Sequence, residues 1–131
     1  MDLYADGALV STVEFATGQT ECRFSGLPAG GSVVEIWPFQ GPPIRLTGIE
    51  LPSGADLQRA EDDRPRWITY GSSISHCRTA ASPSFTWPGI VACARGLDLT
   101  SFGFGGQCHA DPMIARLMRD RPARPPRVLP A

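Results

Sequence analysis

Apolar and polar positions fall into two regimes along this chain. Up to about residue 65 the apolar residues come in short runs rich in β-branched side chains, at 8–15, 32–39 and 44–51. Turn formers separate them: Gly18, then Leu27-Pro28-Ala29-Gly30-Gly31, then Gly41-Pro42-Pro43, then Pro52-Ser53-Gly54. Runs of this length and spacing predict strands of part of a β-sandwich or jelly roll. A charged stretch, 56–66, ends in Arg64-Pro65-Arg66 and reads as a linker. Beyond it strand and helix alternate. A strand is predicted at 66–70 and a helix at 87–95, with Thr86 as its cap, Pro88 in its first turn and Gly96 at its end. Trp87, Ile90, Val91 and Ala94 share one face of that helix. A second strand is predicted at 97–102, and Asp111-Pro112 opens a last helix with Met113, Ile114, Leu117 and Met118 on its apolar face. Two strands joined through a helix predict a right-handed crossover and a parallel pair, so the turns after both strands emerge at one sheet edge. The chain thus divides into a β-rich segment, 1–65, an α/β segment, 66–120, and a tail, 121–131. The tail's four prolines and three arginines predict disorder.

Composition narrows the function classes. At 131 residues and 42% hydrophobic, the chain can bury one ordinary core or part of two. A net charge of -1 gives no long-range attraction to nucleic acid or anionic lipid. No apolar run is long enough to span a bilayer, and the first twenty residues carry no secretory signal, so a cytoplasmic location is expected. Cys22, Cys77, Cys93 and Cys108 lack disulfide-framework or zinc-ribbon spacing and read as free thiols. All 12 basic residues are arginine, which removes Schiff-base and Ser-Lys chemistry. Asparagine is absent, and the only histidines are His76 and His109.

The chemistry concentrates at two strand ends. In Trp67-Ile68-Thr69-Tyr70-Gly71-Ser72-Ser73-Ile74-Ser75 a buried strand runs into a tight turn, the place where open α/β sheets present reactive groups. Ser73 is the candidate nucleophile, and its own N–H can face an oxyanion. On spacing alone, a turn with helix-capping serines is the stronger reading. The Gly-x-Ser-x-Gly elbow is not present, because position 75 is serine. In Gly103-Phe104-Gly105-Gly106 the glycines permit close backbone approach to a substrate, and a plain strand-to-helix loop explains them equally well. The pairs His76-Cys77 and Cys108-His109 follow the two strand ends. A metal site is one reading of them; a Cys77–Cys108 disulfide or simple packing is preferred.

Taken together, these residues resemble a known family. Tyr-Gly-Ser-Ser-Ile-Ser at 70–75 resembles the Gly-Asp-Ser-Leu block of the SGNH hydrolases, the GDSL-like lipases and esterases, with serine in place of the aspartate. Ser101-Phe102-Gly103-Phe104-Gly105-Gly106-Gln107 is similar to their second block. The resemblance implies a flavodoxin-like three-layer α/β hydrolase fold, of which 66–120 is the first β-α-β-α part, preceded by a β-sandwich domain as in a bacterial subgroup. It implies a serine ester hydrolase acting on a small-molecule or carbohydrate ester without a cofactor or metal, with Ser73 as nucleophile and Gly106 as oxyanion donor. The family's third-block asparagine and its late Asp-x-x-His pair are missing, so the chain looks truncated and is expected to hydrolyse esters poorly on its own. His76, three residues after Ser73, is a poor substitute base because no acid orients it. The competing reading is a non-catalytic β-rich module that binds carbohydrate or a partner, with Trp37, Phe39 and Trp67 as a sugar platform.

Overall fold

The computed structural model describes residues 1–41 and 43–121. It is a mixed α/β structure with a small antiparallel sheet and a parallel β-α-β unit. The antiparallel sheet has β1 (Asp2–Ala5) in the centre, flanked by β2 (Ala8–Thr12) and β3 (Val34–Trp37). Ala5 pairs with Ala8, so Asp6-Gly7 is a two-residue hairpin loop. Both of its residues take positive φ, 49° and 79°, the geometry that Asp-Gly supplies most readily. The Asp6 carboxylate also accepts the N–H of Val33, 2.8 Å, which ties the hairpin to the approach to β3.

No strand was expected at 2–5, yet β1 is the most buried element. Leu3 and Ala5 are core residues, and Asp2 is fully buried with them. The Asp2 carboxylate accepts four hydrogen bonds: Thr12 Oγ1 at 2.8 Å, Ser82 Oγ at 2.8 Å, Ser84 N at 2.9 Å and Ser84 Oγ at 2.6 Å. The apolar run at 44–51, by contrast, forms no strand. It pairs with no ladder, and Ile44, Leu46, Ile49 and Leu51 are exposed. A β-branched run becomes a strand only where a partner edge meets its backbone groups, and among the described residues this run meets none.

The parallel unit is β4 (Arg66–Gly71) beside β5 (Asp98–Gly103), in register from Arg66 opposite Asp98 to Gly71 opposite Gly103. Between them run α1 (Ser73–His76), a 3-10 turn (Pro83–Phe85) and α2 (Trp87–Arg95). The boundaries of α2 follow from its caps. Thr86 Oγ1 accepts the Gly89 N–H, Pro88 sits in the first turn, and Gly96 closes the helix at φ 60°. After β5, α3 (Pro112–Asp120) starts on an Asp111 carboxylate that accepts the Met113 N–H, 2.7 Å.

The helix faces marked for burial are a correction. Trp87, Ile90 and Val91 on α2, and Met113 and Leu117 on α3, are exposed. The side of α2 that packs is Pro88, Gly89 and Ala92. Its small residues let the helix backbone close on the preceding turn: a Cβ on Gly89 would stand 2.8 Å from the Ser84 carbonyl. The disordered tail expected at 121–131 lies outside the described residues apart from Arg121, which donates to Thr100 Oγ1, 2.9 Å. All four cysteines are free, so no Cys77–Cys108 disulfide forms.

Candidate active site

Strand β4 delivers its C-terminal end to Gly71, the backbone turns at Ser72, and Ser73 opens the single turn of α1 with its side chain exposed. That turn is closed by His76 N–H to Ser72 O, 2.9 Å, and Cys77 N–H to Ser73 O, 3.0 Å. It ends at Cys77 in the left-handed region, φ 50°. No hydrogen bond engages the Ser73 hydroxyl among the described residues. The second block leaves β5 alongside. Phe104 N–H donates to Gly71 O, 2.8 Å, so the two strand ends stay paired one step into their loops, and Gln107 N–H closes a turn on Phe104 O, 3.2 Å. Gly106 sits on that turn at φ 75° in open space. The expectation that the loops carrying Ser73 and Gly106 leave the same sheet edge is met by this register.

His76 joins the two loops. Its Nδ1 accepts the Gly105 N–H, 3.2 Å, and its Nε2 faces the Gln40 carbonyl at 2.5 Å. A backbone N–H on one nitrogen and a carbonyl on the other assign the neutral ring with its proton on Nε2. The Gln40 side chain meanwhile reaches the Cys77 and Ala80 carbonyls, at 3.5 and 3.4 Å. Both ring nitrogens are therefore occupied, and neither is available to take a proton from Ser73. Nothing in the residue pattern linked Gln40 to His76, because the bond uses a backbone carbonyl 36 residues away.

Glycines make the close approach possible. A Cβ on Gly103 would run into the backbone nitrogen and Cα of His76 and stand 2.7 Å from the Ser75 carbonyl carbon. Gly103→Ala must therefore push α1 off β5 and is expected to cost about 3 kcal/mol, because backbone cannot rotate aside. Gly106→Ala meets no atoms and is expected to cost only the left-handed penalty, about 1 kcal/mol. Urea midpoints of the two variants check the contrast.

Beside these loops lies an open groove of about 360 Å³ lined by Tyr70, Phe104, Gln107, His109, Asp111 and Ile114. The Tyr70 ring leans on Phe104, centroids 6.1 Å apart, and Phe104 stacks on Phe102 at 6.3 Å. The Tyr70 hydroxyl accepts the Ala110 N–H, 2.9 Å. Its phenol is held above its ordinary value, first by the hydrogen bond with Cys108 and then by lost solvent. No cluster of three or more metal-ligating side chains occurs among the described residues, so the two Cys/His pairs form no metal centre there. Trp37 packs on Tyr4, and Trp67 packs edge-on against Trp87, each at 6.0 Å.

Fold and site together define an α/β unit that presents an exposed serine at the end of a parallel strand. No family model and no curated protein matches the chain. Among solved structures it is similar to a salicylyl-acyltransferase, SsfX3, from a tetracycline biosynthetic pathway, at 42% identity and a TM-score of 0.76. The match covers 93% of this chain and 37% of that one. This relation to an acyltransferase corrects two expectations. The assignment to the GDSL-like lipases and esterases, with ester hydrolysis as the reaction, is overturned. The reason is chemical: a nucleophile and an oxyanion donor, the roles expected of the two motifs, are shared by hydrolysis and acyl transfer, and neither motif specifies water or an alcohol as acceptor. The non-catalytic carbohydrate- or partner-binding module is overturned by the same match. Among the described residues no helix is long and apolar enough to cross a membrane.

Proposed function

We propose that this chain carries the nucleophile and one oxyanion donor of an acyltransferase that moves an aromatic acyl group from an activated donor to a hydroxyl acceptor. The observation that carries the reading is the 42% identity with the salicylyl-acyltransferase over 93% of this chain, a span that includes Ser73 and the Gly103–Gly106 turn. The exposed Ser73 hydroxyl at the end of β4 supports the nucleophile's role, and the open Gly106 N–H supports the donor's. In the proposed reaction Ser73 Oγ bonds to the acyl carbon, the bond from that carbon to the donor's leaving group breaks, and the serine proton passes to the departing group. The acceptor hydroxyl then bonds to the same carbon, releasing Ser73 Oγ, which regains a proton. N–H groups of Ser73 and Gly106 hold the carbonyl oxygen while it is negative. The aromatic groove takes the acyl ring, with Gln107, His109 and Asp111 near its substituents.

In the same reading, the segments 1–65 and 66–120 are two units of a larger enzyme. The first is part of a β-sandwich, and the second is the opening β-α-β-α part of a flavodoxin-like three-layer sheet. The chain spans 37% of the acyltransferase it matches.

The test is intact-mass spectrometry of the chain incubated with p-nitrophenyl salicylate, followed by peptide mapping. One salicylyl group on Ser73, lost again when a primary alcohol is added and recovered as the alkyl salicylate, is the expected result. Label that never reaches Ser73, or that reaches it and is released only as free salicylate whatever the alcohol, overturns the reading.

A further inference from the structure

His76 would draw attention as a base by its place three residues after Ser73, yet its geometry assigns it other work. Both ring nitrogens are committed, one to each side of the fold. Nε2 is held by the Gln40 carbonyl, which belongs to the segment following β3. Nδ1 holds the Gly105 N–H in the second-block turn. Gly105 has no room for a side chain, since a Cβ there would stand 2.8 Å from Nδ1. The backbone that carries the ring is itself packed against Gly103. A turn containing two successive glycines has many conformations available to it, and successive N–H groups in such a turn compete to face an anion. Drawing the Gly105 N–H onto His76 leaves the Gly106 N–H, which makes no hydrogen bond among the described residues, as the free donor.

We propose that His76 is a positioning residue: its neutral ring, anchored on the Gln40 carbonyl, fixes the Gly105-Gly106 turn so that the Gly106 N–H faces the acyl oxygen of a substrate on Ser73. The proposal rests on the reading of Ser73 and Gly106 given above.

Three substitutions separate this role from a base or from plain packing. The amide oxygen of asparagine reaches where Nδ1 stands, whereas the glutamine amide reaches where Nε2 stands. His76→Asn therefore retains the acceptor for Gly105, and His76→Gln and His76→Ala lose it. Salicylation of Ser73 by p-nitrophenyl salicylate is expected to stay within about threefold of the parent for Asn. It is expected to fall about tenfold for Gln and Ala, as for a mis-set reacting group, and to stay well above the level of Ser73→Ala. The loss should lie in the limiting rate rather than in half-saturation by the donor. Hydrogen exchange at the Gly105 amide should be slow in the parent and the Asn variant and faster in the other two. Nitrogen NMR of the parent should show the proton on Nε2.

An Asn variant no better than Gln or Ala, or a ring protonated at Nδ1, overturns the proposal. So does an Ala variant as inert as Ser73→Ala, because that is the signature of a base. Should no donor label Ser73 in the parent, the acyltransferase reading fails, and the exchange series still decides the bracket: equal Gly105 exchange in all four chains overturns it.

Discussion

Ser73→Ala is expected to reduce acylation by p-nitrophenyl salicylate to the level of the donor's reaction with solvent. The parent chain has an exposed serine at a strand end and two backbone N–H groups to offer the oxyanion. One preorganised donor of this kind contributes on the order of 10²- to 10³-fold. The proton transfer that a histidine relay would add has no source in His76, whose ring nitrogens are both engaged. The parent's advantage over the variant is therefore expected near that 10²- to 10³-fold range rather than the far larger value of a complete triad. Free thiols are rival nucleophiles here, since Cys22, Cys77, Cys93 and Cys108 are all unpaired. Cys77 lies in the same loop, with its Sγ donating to the Ile74 carbonyl at 2.8 Å. The measurement must therefore be site-resolved. Label on the Ser73 peptide should vanish in the variant, while any slow label on cysteine peptides persists. A variant that carries as much label on that peptide as the parent would remove Ser73 from the reaction.

Asp2→Ala is expected to cost about 3 kcal/mol, a large part of the 5–15 kcal/mol that ordinarily holds a domain folded. The carboxylate is fully buried and takes four hydrogen bonds, three of them on Oδ2 from Ser82 and Ser84. Removing it strands the Ser84 N–H, which cannot rotate toward another partner as the hydroxyls can. Asp2→Asn is expected to be milder, about 1 kcal/mol. An amide oxygen can replace Oδ2, and the new NH2 would face Thr12, whose hydroxyl can accept as well as donate. The pH dependence has a definite sign. Burial by itself would raise the Asp2 pKa, but the hydrogen bonds led by Ser84 outweigh it and hold the carboxyl below the ordinary 3.8. Its contribution is complete above that value and is lost as the pH falls through the lower, folded-state value. Urea midpoints measured between neutral pH and pH 3 should fall for the parent in the acid range and run flatter for Asp2→Asn. An Asp2→Ala midpoint equal to the parent's would refute the clamp.

Where the fold is set by signals a few residues apart, the sequence was readable. Thr86, Pro88 and Gly96 bracket α2 to the residue, and the strand before each glycine-bearing turn lies where the apolar runs placed it. The parallel pairing followed from connection rules, and with it the common edge for Ser73 and Gly106. What was missed depends on distant partners. β1 is only four residues long and opens on an aspartate, whose burial makes sense only once Ser82 and Ser84 are known to surround it. The Asp6-Gly7 pair was a usable hairpin signal that would have placed β1 and β2. The run at 44–51 has strand composition but joins no sheet among the described residues. His76 is legible as a residue type but not as a bridge, because neither the Gln40 carbonyl nor the Gly105 N–H leaves a trace in side-chain pattern. The acceptor in the proposed reaction was illegible for a related reason: motifs read as a nucleophile and an oxyanion donor say nothing of what takes an acyl group away.

The Asp2 clamp also orders events as the chain acquires its shape. Thr12 lies 10 residues from Asp2 and can reach it as soon as the first hairpin closes, whereas Ser84 lies 82 residues away. Loop closure over the longer span costs about 2 kcal/mol more in chain entropy. The hairpin can therefore form early and wait with a half-satisfied carboxylate, and the last three bonds arrive only when the segment before α2 docks. During vectorial synthesis that means the antiparallel sheet stays loose until the serine-rich turn has left the ribosome.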